Sequence, residues 1–124
     1  MIECFVNVNN KRYFLIEKMV SVISDDLGLK DVSVHVLSFK EMDGSDGVCF
    51  GSDQIDIVNK RDERKLFKVI AHELKHIQQH KTGVLDENVW YGEVIDEEKY
   101  NDLPWEVEAC EYEKYAIENL FKKA

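Results

Sequence analysis

The residues best suited to chemistry are two histidines and a glutamate in the pattern H-E-x-x-H, formed by His72, Glu73 and His76. In a helix, side chains four residues apart lie on the same side, about 6 Å apart along the axis. Both imidazoles could therefore reach one metal ion, while Glu73 points beside it, toward a water that the ion would hold. This pattern predicts His72 and His76 as metal ligands and Glu73 as the catalytic base of a metal-assisted hydrolysis.

The surrounding residues predict the helix that such a geometry requires. Asp62 suits an N-cap and places negative charge at the start of the helix. Glu73 falls within an apolar stripe, where a carboxylate is costly to bury unless a charged group such as a divalent metal ion faces it. The alternative is a solvated amphipathic helix that carries two incidental histidines. The apolar stripe recurs at helical spacing through Leu66, Ile70, Leu74 and Ile77.

A catalytic zinc site needs a third protein ligand and an open position for water. His80 continues the row of histidines, but it would lie about 12 Å from His72 along the axis, too far to share the ion. No histidine follows His80, so the candidates are Glu106 and Glu108 on the predicted last helix. These acids lie on opposite flanks of that helix, and the flank of Glu106 reads as the buried one. Glu106 is therefore the predicted ligand, on a flank that also carries Cys110, Ile117 and Phe121.

With these residues identified, the chain resembles the zincin metallopeptidases of the gluzincin type. In that family, a glutamate on a later helix completes the H-E-x-x-H site. Small intracellular members, which include phage and prophage proteins and anti-repressor peptidases, often carry this glutamate three residues before an alanine. Glu106 and Ala109 match that spacing. The chain departs from the family at Cys110, where members often have Asn or Asp.

The resemblance implies a zinc-dependent metallopeptidase that hydrolyses peptide bonds of a protein or peptide substrate through a water activated by Zn²⁺. His72, His76 and Glu106 would hold the ion, and Glu73 would take a proton from the water and pass it to the leaving amine. One alternative is a zincin-like regulatory or interaction protein without peptidase activity, whose metal is structural. Glu73 favours catalysis, because a structural site has no need of this base. Another alternative is an α+β domain without a metal.

The length, net charge and cysteine content of the chain limit the classes of protein to which it can belong. The 124 residues suit one domain, residues 1–124, and the net charge of −9 argues against nonspecific nucleic-acid binding. The three cysteines are odd in number and form no C-x-x-C pair, which favours reduced thiols in a cytoplasmic setting. No segment approaches the ~20 apolar residues of a membrane span, and the N-terminus lacks the features of a signal peptide. We therefore expect a cytoplasmic protein without a membrane partner.

The spacing of apolar residues along the rest of the chain, together with the resemblance, predicts an α+β fold of the zincin type. We expect a small, mostly antiparallel sheet and three main helices. Strands that precede a metal-binding helix could offer an exposed sheet edge to an extended peptide. We expect an irregular excursion over residues 85–101, where Tyr91 or Tyr100 could donate to a developing oxyanion. The strands are predicted at residues 2–8, 32–39, 48–50 and 54–58, with a loop at 41–47. The helices are predicted at residues 12–27, from 62 to about 82, and from about 104 onward.

If Glu106 is the third ligand, Glu106→Gln should weaken zinc affinity by about an order of magnitude or more, because a neutral amide is a poor ligand for this cation. Glu108→Gln should leave the affinity nearly unchanged, as surface substitutions usually do. Competition with a chelator, followed for both variants beside the parent protein, measures the difference. The reverse result would mean that the last helix docks with its other flank.

Overall fold

A four-stranded sheet, a smaller three-stranded sheet and three helices form the described part of the chain. The structure is a computed structural model, and it describes residues 2–6, 10–37, 45–99 and 102–124. The general α+β class predicted from the sequence is confirmed. The first elements are β1 (Ile2–Val6), α1 (Asn10–Leu27), β2 (Val32–Leu37), β3 (Gly47–Phe50), β4 (Gln54–Val58) and α2 (Glu63–Lys81). They are followed by β5 (Leu85–Asp86), β6 (Val89–Trp90), β7 (Glu93–Val94) and α3 (Pro104–Asn119), with 3-10 turns at Glu97–Lys99 and Phe121–Lys123.

The larger sheet is mixed rather than mostly antiparallel. Its strand order is β1-β2-β4-β3; β1 and β4 lie parallel to β2, and β3 pairs antiparallel with β4 at one edge. The helix α1 connects β1 to β2, and parallel neighbours need such a crossover because a tight turn would reverse the chain direction. The predicted mostly antiparallel arrangement is wrong for this sheet, in which two of the three pairings are parallel.

Residues 85–94, which the sequence analysis treated as irregular, form the smaller sheet. This sheet is antiparallel, in the order β5-β6-β7. Tyr91 and Gly92 link β6 to β7 with φ values of 50° and 81°, and positive φ at both positions is what a type I′ hairpin turn requires. A small apolar core holds the sheet against the start of α3 and contains Leu85, Trp90, Ile95, Leu103 and Trp105.

The main core lies on one face of the larger sheet. Along β2, Val32, Val34 and Val36 are buried while the residues between them are only half-buried, so the helices cover one face alone. Residues of α1, α2 and α3 join these valines in a single apolar cluster. Because α2 contacts both the sheet and α3, its two sides face different partners. The cluster includes Ile16, Val20 and Ile23 of α1, Leu66, Phe67, Ile70 and Leu74 of α2, and Ala116 and Ile117 of α3.

The ends of α2 follow local signals. The backbone N–H of Lys65 donates to the Asp62 side chain at 3.1 Å, which confirms the predicted N-cap. The helix ends at Lys81, and Gly83 follows with a φ of +79°, a conformation that glycine adopts without steric cost. At the start of α3, Pro104 occupies the first helical turn, where its missing N–H costs no hydrogen bond. Leu103 provides the N-cap there and makes no side-chain hydrogen bond.

Parts of the predicted elements fall outside the described residues. These parts are the end of the first strand (residues 7–8), the end of the second (38–39), most of the loop (41–44) and Tyr100. Within the described residues, no helix combines the length and the hydrophobicity that a membrane crossing requires.

Candidate metal centre

The side chains of His72, His76 and Glu106 meet at one point between α2 and α3. One carboxylate oxygen of Glu106 lies 2.7 Å from His76 Nε2, and the other lies 3.1 Å from His72 Nε2. The two Nε2 atoms are themselves 3.1 Å apart. Ligand atoms around a tetrahedral zinc ion lie about 3.3 Å apart when the bonds are about 2.05 Å long, so the observed spacing suits this donor set. The structure thus brings together all three residues that the sequence analysis proposed as ligands.

Close packing of α3 on α2 produces this convergence. His72 and His76 lie one turn apart on the side of α2 that faces α3, and Glu106 lies in the first turn of α3. Ala109 and Ala116 are fully buried, and their small side chains let the two helices approach each other. The alanines therefore allow a carboxylate from one helix to reach the imidazoles of the other.

Burial does not distinguish Glu106 from Glu108, although the sequence pattern predicts that Glu106 lies on the more buried flank. The Glu106 side chain is 46% exposed and that of Glu108 is 34% exposed, so Glu106 is not the more buried acid. Cys110, assigned to the same buried flank, is exposed. Glu108 also faces α2, where it accepts a hydrogen bond from Gln79 Nε2 at 3.1 Å and lies 3.6 Å from Lys75 Nζ. Contact with the histidines, rather than burial, distinguishes Glu106.

Glu73 is buried between α2 and the edge strand β3, with 8% of its surface exposed. Burial raises the pKa of its carboxyl, although the charges of His76 and His72 act in the opposite direction. The start of β3 passes so close that a Cβ atom at Gly47 would lie 2.8 Å from Glu73 Cγ. Only a glycine leaves Glu73 room in this position, and the sequence analysis did not identify Gly47 as part of the site.

Carboxylates stabilise positive charge on both histidines. Burial alone would lower the pKa of His72, but the Glu106 and Glu113 carboxylates outweigh it and raise that pKa to about 10. The pKa of His76 is also raised against the effect of burial, chiefly by Glu106. In return, hydrogen bonds from both imidazoles hold the pKa of the Glu106 carboxyl well below its usual range. The cluster therefore favours a cation between these side chains.

Two further residues lie against the outer nitrogens of the histidine rings. Gln79, which is buried, places Oε1 2.7 Å from His76 Nδ1. Glu113 places Oε1 2.7 Å from His72 Nδ1, but off the N–H direction, since that nitrogen makes no aligned hydrogen bond with the described residues. Helical spacing could have identified both, because Gln79 lies three residues after His76 and Glu113 lies seven after Glu106. Cys110 lies within 4.8 Å of the same His72 and Glu113 ligand atoms.

Two other candidates from the sequence, His80 and Tyr91, do not join the cluster. His80 borders the same cleft, where burial and the charge of His76 lower its pKa, and it is not among the grouped donor atoms of the centre. Tyr91 is 66% exposed at the tip of a hairpin and does not border the cleft. Tyr100 lies outside the described residues.

A cleft of about 630 Å³ gives access to the centre. Residues 45–49, which include most of β3, line the cleft together with Leu85, Glu87, Glu97 and Trp105. The histidines and Glu73 line the same cleft. The ligand atoms and the buried base thus face a space that can admit a small molecule or a segment of polypeptide.

Comparisons with protein-family models, with curated proteins and with solved structures found no match to this chain. The geometry of the centre is therefore the observation from which its chemistry can be argued.

Zinc in excess should raise the unfolding temperature of the parent protein, since a ligand at 100 times its dissociation constant contributes about 2.7 kcal/mol. His72→Ala and His76→Ala should each lose most of this stabilisation, because each removes one donor of the cluster. His80→Ala is the matched control: it removes a histidine of the same helix and cleft and should keep the response. Equal stabilisation of all three variants would show that zinc binds elsewhere. Thermal unfolding with and without zinc provides the measurement.

Proposed function

We propose that this protein is a zinc-dependent metallopeptidase of the zincin type that hydrolyses peptide bonds of a protein substrate. The observation that carries the proposal is the buried carboxylate of Glu73 beside the three convergent donors of His72, His76 and Glu106, all open to one cleft. A zinc ion held by these donors would act as a Lewis acid that lowers the pKa of a bound water and polarises the scissile carbonyl.

Glu73 has the properties of a general base in this reaction. It borders the cleft, and burial raises the pKa of its carboxyl above the ordinary value, which makes the carboxylate a stronger proton acceptor. It would accept a proton from the attacking water and deliver it to the leaving amine. A structural metal site needs no such group, and this difference favours catalysis over a purely regulatory role.

The edge strand β3 supports a peptide as the substrate. Among the described strands, β3 pairs with β4 on one side only, and Gly47, Val48 and Cys49 border the cleft. An extended peptide could continue the sheet along this edge, where backbone hydrogen bonds would hold it across the centre. Such binding uses the main chain of the substrate and so suits peptide bonds in general.

Glu73→Gln should keep zinc and lose hydrolysis by a factor of about 10² to 10⁴, because the amide can still hydrogen-bond a water but cannot accept its proton. The measurement pairs zinc content with cleavage of a peptide library, followed by mass spectrometry. If the folded variant binds no zinc, Glu73 is a ligand and its assignment as the base is wrong. If it cleaves as fast as the parent, another group is the base.

Gly47→Ala should also lower hydrolysis, by up to about 10²-fold, because the new methyl group would displace Glu73 while leaving the zinc donors in place. Gly51→Ala is the matched control on the same hairpin. Its methyl group would meet no described atom within 4 Å, although its φ of +66° strains any residue other than glycine. We expect the control to lose some stability and keep its rate. Equal rates for Gly47→Ala and the parent would contradict the role given to this contact.

A further inference from the structure

We propose that Gln79 is a positioning residue of the metal centre. It holds the His76 ring in the tautomer that leaves Nε2 free to bind a metal, and it couples this ring to the first turn of α3. The inference rests on the proposed metal centre, and it adds to that centre a residue outside the H-E-x-x-H pattern.

The side-chain amide of Gln79 has a partner on each side. Its Oε1 lies 2.7 Å from His76 Nδ1, and its Nε2 lies 3.0 Å from the carbonyl oxygen of Trp105 and 3.1 Å from Glu108 Oε1. Gln79 is only 1% exposed, so water does not substitute for these partners. An amide left without partners at this depth would lose its hydrogen bonds to water without replacing them, which favours a single orientation.

The partners fix which way the amide points. A backbone carbonyl and a carboxylate only accept hydrogen bonds, so the amide nitrogen of Gln79, with its two donors, must face Trp105 and Glu108. Its oxygen must then face His76. Because that oxygen only accepts, the Nδ1 atom of His76 must carry the proton.

This proton decides which ring nitrogen is available to a metal. With hydrogen held at Nδ1, a metal that displaces a proton from the His76 ring must take the place of the one on Nε2, the atom that lies 2.7 Å from Glu106 and 3.1 Å from His72 Nε2. His72 has no equivalent constraint, since the Glu113 carboxylate lies off its N–H direction. The geometry makes His76 the more firmly oriented of the two histidines.

The side-chain amide of Gln79 also helps to position Glu106, the third of the proposed metal ligands. Trp105 immediately precedes Glu106, so the hydrogen bond to its carbonyl holds the turn that carries the Glu106 carboxylate. Gln79 thus connects a donor on α2 with a donor on α3 through one buried group. Loss of a hydrogen-bonding partner behind a metal-binding histidine typically costs about 10–100-fold in metal affinity.

The direct test is the tautomer of His76 in zinc-free Glu106→Ala protein, in which no carboxylate competes for a proton at Nε2. It is read from the ring ¹⁵N chemical shifts at a pH at which the ring is neutral. Glu106→Ala should carry the ring proton on Nδ1, and Glu106→Ala/Gln79→Leu should lose that preference. A ring proton on Nε2 in Glu106→Ala would overturn the proposal. This measurement needs neither zinc nor hydrolysis, so it decides the role of Gln79 even if the parent binds no zinc and the proposed function fails.

Zinc affinity, measured by chelator competition, provides the second readout. Gln79→Leu should weaken it about 10–100-fold, whereas Glu108→Ala, which removes one contact to α3 and leaves the bond to His76, should change it little. If Gln79→Leu fails to fold, the tautomer of His76 in the protein that keeps Gln79 still decides the proposal. If Glu108→Ala weakens zinc binding as much as Gln79→Leu does, Gln79 acts only as a brace between the helices and the proposal is wrong.

Discussion

The candidate centre depends on the docking of α3 against α2. His72 and His76 are adjacent on α2 through helical geometry alone, but the carboxylate between them comes from a residue 34 positions beyond His72. The two helices can approach closely because Ala109 and Ala116 are fully buried. A small shift of α3 would move the Glu106 oxygens away from both imidazoles at once. The packing of apolar and small residues at this interface therefore controls the polar site.

The charged side chains of the centre stabilise one another, and none of them would be stable there alone. Glu73 and His76 are buried, and an isolated charge at either position would be costly. The carboxylates favour positive charge on the histidines, and the histidines keep the Glu106 carboxyl ionised. A group of this kind, open to a cleft, meets the electrostatic requirement for a divalent cation. The group contains three carboxyl groups, from Glu73, Glu106 and Glu113, and two imidazoles, from His72 and His76, so acids outnumber bases in it.

Features that arise within one helix could be predicted from the sequence. The placement of His72, Glu73 and His76 follows from helical spacing, and the N-cap at Asp62 follows from local hydrogen bonding to the helix start. Most of the apolar stripe of α3 was equally readable from helical spacing: Trp105, Ala109, Ala116 and Leu120 are buried, whereas Tyr112 in the same stripe is half-buried. The order strand, helix, strand over β1, α1 and β2 also implied a parallel pairing, because a helical crossover joins parallel strands. That implication was missed.

The tertiary structure alone decided the features that join distant parts of the chain. Glu106 and Glu108 both face α2, and Glu106 is the more exposed of the two, although the apolar pattern suggested that it would be the more buried. Only the docking of the helices determines that Glu106 meets the histidines. The close contact between Gly47 and Glu73 depends on how β3 lies over α2, which no local pattern encodes. The sequence by itself determined which residues could do chemistry and on which helix faces they lie. Packing between elements determined which of them meet, because a side chain's partner depends on the relative position of two backbones.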